Sequence, residues 1–143
     1  MKIAAHVTEK LMFAWPLDYW IEFFRKATDK GHEVYIVGDD DYVEIQDKNP
    51  LLFDRLRIGD DLSKKTIAKC DVFVGPPLKY YEMAKDTGVR AIGLLGASLK
   101  GEGVASTTPC AGCLEGLQDV NDCYWGDCLC MWEIPPNDVL EVL

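Results

Sequence analysis

Short apolar runs alternate with helical segments along most of this chain, and that alternation leaves few folds open. Ile3–Val7, Glu33–Val37, Asp71–Val74 and Ala91–Leu95 are each four or five residues long and almost wholly apolar. Runs of that length suit strands buried on both faces. Leu56–Ile58 is a shorter candidate of the same kind. Between them lie helical patterns. Pro16 opens one in which Trp20, Phe23, Phe24 and Ala27 fall at i, i+3, i+4 and i+7, an apolar stripe for one helix face, and Gly31 ends it. Tyr42–Lys48 is a weaker helical segment that stops at Asn49-Pro50. Asp61 or Ser63 is placed to cap a helix through Ile67 and Ala68. Tyr80–Thr87 reads as helix, and a last helix starts at Pro136 and runs through Val139, Leu140 and Leu143.

Strands alternating with helices predict βαβ units and a parallel sheet. Right-handed crossovers then favour one doubly wound, Rossmann-like α/β sheet of about five strands. Residues 1–96 form the βα core of this single domain, 97–133 a cysteine-rich loop and 134–143 the C-terminal helix. At 143 residues the chain is long enough to bury a real core.

Five of the six cysteines crowd into that loop: Cys110, Cys113, Cys123, Cys128 and Cys130. Cys110-Ala111-Gly112-Cys113 is a C-x-x-C knuckle with ligand spacing. A polar, glycine-rich loop buries few side chains, so a cross-link or a metal is needed to hold one shape. Structural zinc, disulfides and reduced, partly buried thiols all remain open from spacing alone. Use of both Cys128 and Cys130 on one metal is awkward, because alternate residues of an extended chain point opposite ways. No redox cofactor is indicated.

Charge narrows the partners. Asp and Glu number 24 against 15 Lys and Arg, for a net charge of −9. Nucleic-acid binders carry the opposite sign, so no nucleic-acid partner is expected. No run approaches the roughly 18 apolar residues of a membrane span, and Met1–Val7 is too short for a signal peptide. The expected compartment is the cytoplasm, where thiols stay reduced and a cysteine cluster favours metal over disulfides.

In a parallel sheet, ligands bind at the carboxyl ends of the strands. Here those ends are the loops at Thr8–Ala14, Gly38–Asp41, Gly59–Asp60, Gly75–Lys79 and Gly96–Gly103. His6 ends the first strand, and Lys10 follows in its loop. Gly75 and Lys79 bound the loop before the Tyr80 helix, with Glu82 in that helix's first turn. Gly96 and Ser98 stand in the last loop. An ammonium at Lys79 suits a phosphate, and a carboxylate at Glu82 suits ribose hydroxyls. Each also has an ordinary structural reading: a solvated lysine, a first-turn acid favourable to the helix dipole, a hydrogen-bonded strand-end histidine. Asp39, Asp40 and Asp41 read as a surface acidic run, and one of Tyr80 and Tyr81 as packed on the sheet.

Taken in order, these landmarks resemble the C-terminal half of the family 9 glycosyltransferases, the ADP-heptose:lipopolysaccharide heptosyltransferase family. The resemblance rests on the strand ending in His6, Trp15-Pro16 leading a helix with Trp20, Gly31–Gly38, Cys70–Gly75, Gly88-Val89 and Ile92–Gly96. It is most specific in Pro109–Cys113, Cys130-Met131 and Ile134-Pro135-Pro136 with Val139-Leu140. It implies an ADP-activated sugar as donor, bound around His6, Lys10, Gly75, Lys79, Glu82, Gly96 and Ser98, and inverting transfer. It also favours Cys130 as a metal ligand, leaving Cys110, Cys113, Cys123 and Cys130 as the zinc set.

That family places its active site between two Rossmann-like domains. Transfer by this chain is therefore expected to need a homodimer or a partner chain supplying the acceptor side. Where the family's donor loop has Asp-Ser-Gly-Pro-Met-His, this sequence has Pro77-Leu78-Lys79-Tyr80-Tyr81-Glu82. Proline removes a backbone donor there, and Leu78 and Tyr80 add bulk. This departure supports an alternative: a non-catalytic module that keeps the fold and binds a nucleotide or a protein.

Overall fold

A computed structural model describes residues 1–8, 10, 13–39, 49–108, 111–112 and 129–143. Its centre is one six-stranded, all-parallel sheet: β1 (Lys2–His6), β2 (Glu33–Gly38), β3 (Leu52–Leu56), β4 (Val72–Gly75), β5 (Arg90–Leu95) and β6 (Gly103–Ala105). The strand order is β3-β2-β1-β4-β5-β6, the doubly wound order expected of a Rossmann-like sheet. The helices are α1 (Leu17–Asp29), α2 (Asp60–Ala68), α3 (Lys79–Asp86), α4 (Leu129–Trp132) and α5 (Pro136–Glu141).

The sheet is covered on both sides. On one face Ile3, Ala5, Val34, Ile36, Val72, Val74, Ile92 and Leu94 pack against the aromatic stripe of α1 and against Met131, Ile134 and Val139. On the other, Ala4, Val37, Phe73 and Ala91 meet Ile67 of α2 and Tyr80, Tyr81 and Ala84 of α3. Alternate residues of each central strand therefore serve opposite cores. That is why those strands are apolar throughout rather than alternating in polarity.

The two edge strands depart from the sequence reading. β3 lies at Leu52–Leu56 rather than Leu56–Ile58, with Asp54 and Arg55 exposed. It is an edge strand among the described residues and its exposed polar residues dilute the apolar signal, while Arg57 (φ 58°) turns the chain just where the strand was expected. β6 lies inside the stretch expected to be a loose loop, making six strands rather than about five. It forms because Gly103 meets Gly93 across the pair: a Cβ on Gly103 would stand 2.0 Å from the Gly93 carbonyl oxygen. A strand glycine, Gly93, and one that reads as a loop residue, Gly103, are what lets these backbones approach.

α2 begins at Asp60, after Gly59, and no side chain caps it. Of the two expected caps, Asp61 lies inside the first turn and Ser63 is buried within the helix. Residues 42–48, expected as a weak helix, lie outside the described residues. Among the described residues no helix is long and apolar enough to cross a membrane.

Candidate functional site

β1 and β4 are neighbours in the sheet, but their chains leave in opposite directions. β1 leads to α1 on one face and β4 to α3 on the other. Their carboxyl ends therefore part, and the crevice between them is where ligands enter folds of this order. His6 closes β1 at this point, 6% exposed, and glycines on the adjoining strands make room for its ring. A Cβ at Gly75 would stand 2.9 Å from the His6 Cβ, and one at Gly38 would stand 3.2 Å from its Cδ2.

Tyr80, in the first turn of α3, covers the imidazole edge-on at 4.6 Å. Its hydroxyl donates to Asp39 Oδ1 at 2.6 Å. The other Asp39 oxygen accepts from Lys79 Nζ at 3.0 Å, and Lys79 also reaches Asp60 Oδ1 at 3.0 Å. The tips of β1 and β2 and the first turns of α2 and α3 are thus tied by one chain of contacts: His6, Tyr80, Asp39, Lys79, Asp60.

The electrostatics follow from those contacts. The Tyr80 hydroxyl and then the Lys79 ammonium hold the Asp39 carboxyl below its ordinary range. Burial, then the Asp39 carboxylate, pushes the Tyr80 hydroxyl above its usual range, so it stays a neutral donor. Asp60 and Asp39 push Lys79 up, fixing it as a cation. These ion pairs are about half exposed, so they order the corner more than they stabilise the fold. The N-terminus of α3 carries no side-chain cap. Its free donors and the Lys79 charge make this corner favourable to an anion.

The residues singled out from the sequence divide into two groups. His6, Gly75 and Lys79 come together at the crevice. Lys10 is exposed in the loop after β1, where its N–H donates to Thr8 Oγ1 at 3.2 Å and its carbonyl accepts from Phe13. Glu82 is exposed on the outer side of α3, 4.0 Å from Lys85. Ser98 is half-buried and accepts from the Lys100 N–H. Gly96 lies under α4: a Cβ there would stand 2.5 Å from Met131 Sδ and 3.2 Å from Cys130 Sγ.

Asp39, Asp60 and Tyr80 complete the cluster. The sequence offered only an acidic run after β2 and an acid at a helix start as signals for the two carboxylates. Of the proposed metal ligands, Cys130 is described and buried, whereas Cys110, Cys113 and Cys123 lie outside the described residues, as do Asp40 and Asp41. Gly112, in the middle of the C-x-x-C knuckle, donates its N–H to the Gly96 carbonyl at 2.9 Å. The knuckle's described middle and Cys130 therefore meet at the same residue.

No protein-family model matches the chain, and no curated protein matches it in sequence. Solved structures do match in fold. Heptosyltransferase WaaC of E. coli with ADP superposes with a TM-score of 0.74 at 10% identity, over 99% of this chain and 42% of that one. The iron-containing dodecameric glycosyltransferase TibC of enterotoxigenic E. coli H10407 gives 0.76 at 16% identity, over 99% of this chain and 43% of that one. TibC in complex with ADP-D-beta-D-heptose gives 0.74 at 15% identity. From end to end the chain has the fold found in these heptosyltransferases, and it spans about two-fifths of their length.

Proposed function

We propose that this chain binds a nucleotide-activated sugar, with ADP as the nucleotide, at the crevice between β1 and β4, and that it serves as the donor side of a glycosyltransferase. The match to ADP-bound and ADP-heptose-bound heptosyltransferases over 99% of the chain carries this reading. The diphosphate would lie against the N-terminus of α3 and Lys79, beside His6. Transfer would require an acceptor hydroxyl, and a base to deprotonate it, from a partner chain or a second copy. The hydroxyl oxygen bonds to the anomeric carbon as the bond to the diphosphate breaks, and the diphosphate leaves with the electron pair. Positive groups at α3 would stabilise that leaving charge.

The test is calorimetric titration of the intact chain with ADP and ADP-sugars, beside Lys79→Ala. Binding is expected, and the substitution should weaken it about tenfold, the scale of one charge-assisted contact to phosphate. No binding of either ligand would end the donor reading. An assay for ADP release with the candidate acceptor side added then separates catalysis from binding alone. One observation favours the non-catalytic reading: Lys79 is already engaged by Asp39 and Asp60, and Tyr80 covers His6. A diphosphate has to compete with both carboxylates for this ammonium. Binding without ADP release in every pairing would support the module.

We further propose that the cysteine loop holds one metal ion through Cys110, Cys113, Cys123 and Cys130. Buried Cys130 beside Gly96, with Gly112 bonded to the same residue, supports this. Zinc suits four thiolates; the iron of TibC makes iron the other metal to assay. Protein purified without chelator should carry about one equivalent of one of them, the number one closed four-thiolate site holds. Elemental analysis finding neither metal would refute the site.

A further inference from the structure

Beside α2, away from the crevice, a hollow of about 530 Å³ opens over β2 and β3. That volume is within the ordinary range of small-molecule sites. Lys2, Arg55, Lys65 and Lys69 surround it. Among the described residues no carboxylate stands within ion-pair distance of the charged group of any of these four, and Asp71 Oδ2 accepts from the Lys2 main-chain N–H at 2.7 Å. Lys26, Lys79 and Lys85 do have such partners. In a chain with 24 acidic and 15 basic residues, four cations around one hollow with no ion-pair partner among the described residues are not what charge balance produces. Lys65, in the last turn of α2, and Lys69, its C-cap, stand one helical turn apart, so their like charges repel each other mildly. An anion from outside the chain would relieve that repulsion.

The remaining lining is apolar or neutral. Tyr35 stacks on Phe53 at 4.7 Å, and the Arg55 guanidinium stands 6.0 and 5.7 Å from their two ring centres. Arg55 Nη1 also donates to the Asp54 carbonyl at 2.9 Å, and these contacts hold the guanidinium in place with its remaining N–H groups left to meet an oxyanion. Ile58 and Leu62 form an apolar wall, and Leu62 is 53% exposed. The Cys70 thiol is pushed up to about 11, first by burial and then by the Asp71 carboxylate, with Glu33 adding to it, so the thiol itself carries no negative charge.

We propose that this groove binds a phosphate monoester carried on an apolar body. The phosphate would sit among Lys2, Arg55, Lys65 and Lys69, and the apolar part would lie against Tyr35, Ile58 and Leu62. A soluble phosphorylated molecule and a phospholipid headgroup share that chemistry. The groove is separate from the crevice: Lys2 and His6 stand at opposite ends of β1, roughly 13 Å apart at strand rise, and the two sites share no residue. The proposal therefore stands or falls independently of the donor reading.

The test titrates the intact chain with dodecyl phosphate below its micellar concentration and with inorganic phosphate. Flotation with phosphatidylcholine vesicles, with and without phosphatidic acid, accompanies it. Dodecyl phosphate should bind more tightly than inorganic phosphate, and Leu62→Ser should narrow that difference. Lys65→Gln with Lys69→Gln should weaken dodecyl phosphate binding about tenfold, the combined scale of two exposed charge contacts. Lys64→Gln, exposed on the same helix but outside the groove, should leave it unchanged. Flotation only with phosphatidic acid supports a membrane headgroup as the source, and free binding without flotation supports a soluble one. The proposal is overturned by any of three results: no binding, equal weakening by Lys64→Gln, or displacement of dodecyl phosphate by ADP.

Discussion

Replacing Trp15 with alanine is expected to lower the unfolding free energy by about 4–8 kcal/mol, the sum of an aromatic truncation and an orphaned acceptor. Trp15 is 1% exposed and packs edge-on to Trp20 at 4.8 Å, Tyr19 at 5.8 Å and Phe23 at 6.0 Å. Its indole N–H also donates to the Ile134 carbonyl at 2.8 Å, across 119 residues of sequence. That bond ties the start of α1 to the segment joining α4 and α5, and so fixes the C-terminal part of the chain on the sheet. Alanine leaves a cavity among aromatic rings that cannot all collapse into it, and it leaves a buried carbonyl without its donor.

Trp15→Phe separates the two contributions. It keeps most of the packing and loses only the donor, for about 1–3 kcal/mol. Denaturant unfolding followed by circular dichroism measures both. Equal losses for the two variants would show that packing carries little of the effect. A loss below about 1 kcal/mol for alanine would contradict the assigned role, because it falls short of any buried aromatic truncation.

Gly75→Ala should have the next largest effect, and it should act on both stability and binding. The new Cβ would stand 2.9 Å from the His6 Cβ and 2.9 Å from Phe73 Cζ. Neither neighbour has free space: Phe73 is fully buried and His6 is wedged between β2 and β4. The expected cost is about 1–3 kcal/mol, the range for overpacking a filled core. Relief has to come from moving His6 or spreading β1 from β4, and either movement disturbs the crevice. ADP binding should therefore fall in a variant that remains folded. Unchanged stability together with unchanged ADP affinity would show that this end of β4 adjusts freely, and that the glycine does not position His6.

Legibility followed burial. β1, β2, β4 and β5 were readable because a strand covered on both faces has only apolar positions to offer. α1 was readable because its stripe faces one core and its remaining residues face water. The edge strands were not. β3 exposes Asp54 and Arg55, and β6 is three residues long and exists through the pairing of Gly93 with Gly103, a residue that reads as loop. The heptosyltransferase likeness was readable as an ordered set of landmarks, and it holds at the level of fold.

At the site, His6, Gly75 and Lys79 could be placed from their positions at strand and helix ends. Topology alone brings such ends together. That Lys79 would be bridged by Asp39 and Asp60 could not be read, and neither could Tyr80 becoming the lid over His6. Lys79 and Asp39 are 40 residues apart, and nothing in either local sequence names the other. What the linear chain determined by itself is the succession of buried strands and covering helices, because burial periodicity is a local property. The tertiary structure alone decided which charged and aromatic groups meet at the crevice, and which cations are left facing the α2 groove. Those pairings depend on how helix starts and strand ends from distant segments are packed side by side.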